Sequence, residues 1–139
     1  MHRLTKKPDW QLQLDLFLSS RMKTPFAWGT NDCALFAADA VLAMTGCDLA
    51  DPEWRGAQSA KNALRAIKQR GGMAAIANAA MGAPVAARYA REGDVVLLEI
   101  ADREAFGIAT GYAGAAGMSD AYGPTAQGLG LAQYKTCAW

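Results

Sequence analysis

The strongest chemical candidate in this chain is a thiol. Cys33 follows Asn31-Asp32 and precedes a long apolar run, so it stands where a helix begins. Orphan backbone N–H groups in a first helical turn create positive potential, which favours thiolate and suits a nucleophile. The plainer role for such a residue is that of a small apolar side chain filling space. A thiol that cleaves amides also needs a group that takes its proton and returns it to the leaving amine. Histidine suits that work because its pKa lies near working pH. The one histidine is His2, close to the first residue. Asp94, Asp102, Glu104 and Asp120 lie in the C-terminal half, but a carboxylate beside a thiolate opposes its ionisation. Tyr122 can donate a proton and is kept as a candidate lining residue. Asp32 adjoins Cys33 and is equally suited to capping the helix.

Cys33, Cys47 and Cys137 are an odd number, whereas a disulfide framework is normally even and dense. Cys47 and Cys137 read as structural. No Cys-x-x-Cys or Cys/His cluster offers zinc its ligands, so neither a metal nor another cofactor is expected.

The elements that must position Cys33 follow from spacing. Thr30 or Asn31 can also cap its helix. Leu35, Ala38, Leu42 and Thr45 recur at helical intervals, Phe36, Val41 and Met44 widen the stripe, and Gly46 stands where a left-handed C-cap favours glycine. Asp9 to Ser20 alternates partly like a strand. The Asp9 cap, with Arg21 and Lys23 near the far end, favours a helix. Ala57, Ala60, Leu64 and Ile67 mark a surface helix with Lys61, Arg65, Lys68 and Arg70 mostly off that stripe, a basic face that solvation explains. Met73 to Met81 is a short apolar helix closed by Gly82 and Pro84. Strands are expected at Val85 to Ala90, Val95 to Ile100, Phe106 to Tyr112, Met118 to Tyr122 and Leu129 to Thr136. Ala101 to Glu104, Gly111 to Gly117 and Gly123-Pro124 read as connections. Helices first and strands later predict an α+β fold.

Pro25-Phe26 through Asp32-Cys33, with Trp28-Gly29 in the loop, resembles the nucleophile segment of NlpC-type cysteine peptidases, a papain-like superfamily that cuts cell-wall peptides. Gly93-Asp94-Val95-Val96-Leu97-Leu98 resembles that family's Gly-Asp lead-in to its first core strand. Ala105-Phe106-Gly107-Ile108-Ala109 resembles its second strand. The likeness runs from about Trp10 to Trp139. It implies a papain-like arrangement, with N-terminal helices packed on a C-terminal antiparallel sheet of about four to five strands. It implies a single domain over residues 1–139, flexible over 1–8. Cys33 takes the nucleophile's place. Trp28 and Gly29 either border a binding groove or simply pack and turn beneath the helix. Active members carry the catalytic histidine two residues before a Gly-Ile pair, and that position here is Ala105.

The chain most resembles small NlpC-like proteins of phage and prophage tail gene clusters, which end near an aromatic residue as here at Trp139. Partners are then other phage tail or tail-tip proteins, or peptidoglycan peptides. Residence is the host cytoplasm during assembly and then the virion tail. Two roles stay open. One is a tail structural or assembly protein with a degenerate peptidase fold. The other is an active cysteine peptidase or amidase on peptidoglycan stem peptides, with Cys33 as nucleophile and the base unidentified.

Composition narrows the field. The chain of 139 residues fits one domain, and 52% apolar residues supply a core. A formal charge of +1 gives no electrostatic case for nucleic acid or an acidic membrane. No apolar run approaches a membrane span, and Pro8-Asp9 interrupts any secretory signal core.

Overall fold

The structure, a computed structural model, describes residues 4–21, 23–50, 52, 54–56, 59–86, 89–100, 103–110, 114–119, 123–125 and 133–138. Four helices precede the strands: α1 (Trp10–Arg21), α2 (Cys33–Thr45), α3 (Ala60–Gln69) and α4 (Met73–Met81). The strands are β1 (Val85–Ala86), β2 (Val95–Ile100), β3 (Arg103–Thr110), β4 (Gly114–Ser119), β5 (Gly123–Thr125) and β6 (Gln133–Ala138). They form one sheet in the order β1-β6-β2-β3-β4-β5, with every neighbouring pair antiparallel. The α+β expectation therefore holds. The sheet has six strands rather than four to five: the expected strand from Val85 is described over Val85–Ala86 at one edge, and Gly123–Thr125 adds a short strand at the other.

Helix α2 is the centre of the core. Asp32 caps it in extended backbone, and Gly46 closes it at φ 79°, where its N–H reaches the Leu42 carbonyl. Leu35, Phe36, Ala37, Ala38, Ala40, Val41 and Met44 are all buried, so the helix is enclosed on most sides. One expected stripe residue, Leu42, is exposed instead. A helix apolar nearly all round does not reveal by periodicity which flank meets water.

The sheet buries two different faces. Val95 and Leu97 of β2, Phe106 and Ile108 of β3 and Ala116 of β4 pack in one cluster with Phe36, Ala40 and Met44 of α2. Val96, Leu98, Ala109 and Ala115 form a second cluster on the opposite face. Alternation along a strand makes this division obligatory.

Several expected boundaries move. Residues 114–117 were expected as a turn and lie in strand β4, and Gly123-Pro124 lies in strand β5. Strand β3 starts at Arg103, inside the expected connection. Packing overrides propensity at β4: Gly117 sits opposite Gly107, and Ala116 and Ala115 face the two buried clusters. Helix α3 begins at Ala60, capped by the Ser59 hydroxyl, which accepts the Asn62 N–H.

The N-terminal stretch expected to be flexible is tied down from Leu4 onward. Leu4 packs on the core, the Lys7 N–H donates to the Met44 carbonyl at 2.8 Å, and the Lys6 ammonium lies 4.0 Å from the Trp10 ring centroid. Gly93 allows this closure. Its φ is +89°, and a Cβ there would stand 3.0 Å from both Met44 Sδ and Trp10 Cζ3.

Candidate functional site: the loop and helix start at Cys33

Two adjacent buried polar residues build the segment before Cys33. Asn31 and Asp32 are 3% and 6% exposed. The Asn31 N–H donates to the Ala27 carbonyl at 2.8 Å, and the Ala27 N–H returns to the Asn31 carbonyl at 3.2 Å. Asn31 Nδ2 donates to the carbonyls of Thr24 and Pro25 at 3.0 and 2.9 Å, while its Oδ1 accepts from Arg21 Nη1 at 3.3 Å. Asp32 Oδ2 accepts the Gly29 N–H at 2.9 Å and Oδ1 accepts the Leu35 N–H at 3.0 Å. Both carboxylate oxygens thus serve the loop and the helix cap. Gly29 takes φ 78°, and the Phe26 and Trp28 rings meet edge to face at 4.7 Å.

A chain of charges braces this loop from outside. Arg21 Nη2 pairs with Asp39 Oδ2 at 2.9 Å, and Arg55 Nη2 joins Asp39 Oδ1 at 2.7 Å to Asp48 Oδ1 at 3.0 Å. Arg21 therefore links the Asn31 amide to the middle of α2. The Gly56 N–H also donates to the Gly29 carbonyl at 2.9 Å, which ties the loop to the segment carrying Trp54. The sequence reading missed this bracing. Its one available signal was Asp39, an isolated charge within an apolar helix.

The hydrogen bond from Arg55 holds the Asp48 carboxyl below its ordinary range, and bonds to Asp48 and Asp39 raise Arg55. A carboxyl lowered by folding stabilises the fold above its unfolded value and loses that contribution as pH falls through the folded value. Asp48 is 42% exposed, so screening leaves only a few tenths of a kcal/mol. Asp48→Asn should therefore lower Tm slightly near neutral pH, and the gap to wild type should close as pH drops below about 3.8. Parallel thermal melts across pH measure it.

The Cys33 thiol is half-buried and not disulfide-bonded. Beside it lies a pocket of about 30 Å³ lined by Trp28, Asp32, Ala34, Trp54, Ala66 and Ile67, among others. One or two waters fill such a volume, whereas ligand pockets usually span about 300–1,000 Å³. Apart from Cys33, Asp32 is the sole acid or base among the described residues lining it. A roomier groove of about 460 Å³ lies between Asp48–Ala50 and α4, and its described lining does not include Cys33. Trp54 borders both spaces.

The structure gathers Trp28, Asp32 and Cys33 in one place, and Gly29 is bonded to Asp32 there. It separates Ala105 from them. Ala105 pairs with Leu98, and Leu98 belongs to the cluster on the sheet face away from α2. The β3 residues that face the helix are Phe106 and Ile108. Asp94 caps its own turn, with Oδ2 accepting the Arg91 N–H at 2.8 Å, and Glu104 is exposed. Tyr122, Asp102 and Asp120 lie outside the described residues. Among the described residues no cluster of three His, Cys, Asp or Glu side chains could hold a metal, and no helix is long and apolar enough to cross a membrane.

The family model described as "Domain of unknown function (DUF6950)" matches residues 5–139. No curated protein and no solved structure matches the chain.

Proposed function

Because the chain belongs to the DUF6950 family, a domain of unknown function, its role is read from its residues, and we propose a non-catalytic phage or prophage tail protein built on an NlpC-like peptidase fold. The carrying observation is the surroundings of Cys33. The nucleophile position is occupied, but the pocket beside it holds about one or two waters and its one described carboxylate is committed to two backbone N–H groups. Position 105, where the resemblance puts the base, holds alanine on the far face of the sheet. The segments around Cys33, Gly93 and Gly107 support only the NlpC-like part of this reading, and the tail setting rests on the likeness of the chain to small NlpC-like proteins of tail gene clusters. In this reading the partners are neighbouring tail or tail-tip proteins, reached from the host cytoplasm during assembly.

One feature favours the alternative, a cysteine peptidase or amidase on peptidoglycan stem peptides. Cys33 occupies the first turn of a thirteen-residue helix, where positive potential favours thiolate. Turnover separates the two. Purified protein incubated with a panel of stem peptides should release no product, and Cys33→Ser should change nothing. Cys33-dependent cleavage would overturn the non-catalytic reading. Purified tails should contain the protein, and deleting its gene should impair particles. Tails that lack it, with intact particles after deletion, would sink the tail assignment.

Restoring histidine alone should not restore chemistry. Ala105→His should give no hydrolysis, because its side chain departs on the face opposite α2. It should also cost about 1–3 kcal/mol by overfilling a site that is 5% exposed. Peptide turnover and urea melts of the variant test both statements.

A further inference from the structure

The formal charge of +1 conceals a strong segregation. Half of all Lys and Arg residues fall between positions 54 and 91, and no Asp or Glu does. Arg55 is taken up by Asp39 and Asp48, and Arg70 donates to the Ala66 carbonyl and lies 5.6 Å from the Trp54 ring. Arg88 lies outside the described residues and Arg91 is exposed just before β2, so Lys61, Arg65 and Lys68 are the cations left on α3 itself. Spaced four and three residues apart, they form one exposed stripe along α3. Leu64 sits at the stripe's edge and is 46% exposed. Like charges at this spacing disfavour the helix, and α3 carries no acid to relieve them. Among the described residues none of the three is in an ion pair.

The same chain carries a matching surface. Helix α1 buries Leu14 and turns Leu12 and Leu16 outward, at 55% and 57% exposure. Asp15 lies beside them on the exposed side, and Asp9 stands exposed at the helix start. Exposed leucines flanked by carboxylates on α1 answer an exposed leucine flanked by cations on α3. The helices are twelve and ten residues long, so the faces are of similar extent.

We propose that α1 of one copy docks on α3 of a second copy, with Leu12 and Leu16 against Leu64, and Asp15 with the preceding Asp9 against Lys61, Arg65 and Lys68. This contact uses a different surface on each side. In a pair one copy keeps its α3 face unused and the other its α1 face, so association continues into a ring or an open chain. One helix-on-helix contact falls well short of the roughly 800 Å² per partner typical of stable complexes, so the step is weak, with Kd on the order of 100 μM. Charge complementarity makes it salt-sensitive. The inference does not depend on the tail reading.

Sedimentation of the full chain up to about 1 mM, at low salt and at roughly 0.5 M salt, tests it directly. The mass average should climb with concentration at low salt and fall back to the monomer at high salt. The charge-reversed variants Lys61→Glu/Arg65→Glu/Lys68→Glu and Leu12→Lys/Asp15→Lys should each be monomeric alone. Mixed together they should associate, because each offers the face that the other needs. A wild-type chain that stays monomeric at low salt would overturn the proposal even if neither variant folds. So would association untouched by both reversals, or a wild-type monomer that instead binds duplex DNA or a poly-glutamate peptide.

Discussion

Replacing Asp32 by alanine should lower stability by about 2–4 kcal/mol, a Tm fall of roughly 10 °C for a domain of this size. The carboxylate is 6% exposed and each of its oxygens accepts a backbone N–H. Losing the Leu35 bond removes the cap of α2, worth about 0.5–2 kcal/mol. Losing the Gly29 bond strands a buried donor, worth about 1–3 kcal/mol more. Asp32→Asn should recover only part of this. Its amide presents one oxygen and one NH₂ group to two donors, so one contact turns repulsive. Urea denaturation of the three proteins supplies the energies. Amide exchange at Gly29 and Leu35 locates them, because both N–H groups should lose protection in Asp32→Ala. An unchanged midpoint would show that the carboxylate does not hold the loop, and would return Asp32 to the list of chemical candidates beside Cys33.

Gly107→Ala should cost about 3 kcal/mol or somewhat more, at a position where a surface strand would usually gain from the change. A Cβ at Gly107 would stand 2.6 Å from Leu98 Cδ1 and 2.7 Å from the Ala116 carbonyl oxygen. The leucine tip can rotate, but Leu98 is 1% exposed and has little room. The carbonyl cannot move without disturbing the register that sets Gly107 opposite Gly117 and Ile108 opposite Ala116. Ile108 and Ala116 both pack in the α2 cluster, so the disturbance should reach the helix that carries Cys33. Thermal and urea melts test the cost, and amide exchange along β3 and β4 tests its path. A variant as stable as wild type would mean that the two strands can part at no expense.

In the reading proposed above, position 105 lacks histidine, and orientation is the larger obstacle. Even a base there would project from the face of β3 opposite α2.

Local signals in the sequence placed the end of α2 at Gly46 and narrowed its start to Thr30, Asn31 or Asp32, because caps act within four residues of themselves. The folded loop chose Asp32, since the Asn31 side chain is taken up by Thr24, Pro25 and Arg21. The order of helices before strands was legible from local signals too, since apolar spacing is a property of neighbours in the chain. Tertiary structure alone decided the rest. Whether Ala105 faces α2 depends on the pairing of β3 with β2, and one residue of register would reverse it. The strand at Gly114–Ser119 is held by its pairing with β3, which buries Ala115 and Ala116 in the two clusters, a long-range contact that local propensity does not carry. The brace from Arg21 through Asp39 to Arg55 joins residues far apart in the chain, and only folding brings such charges within bonding distance.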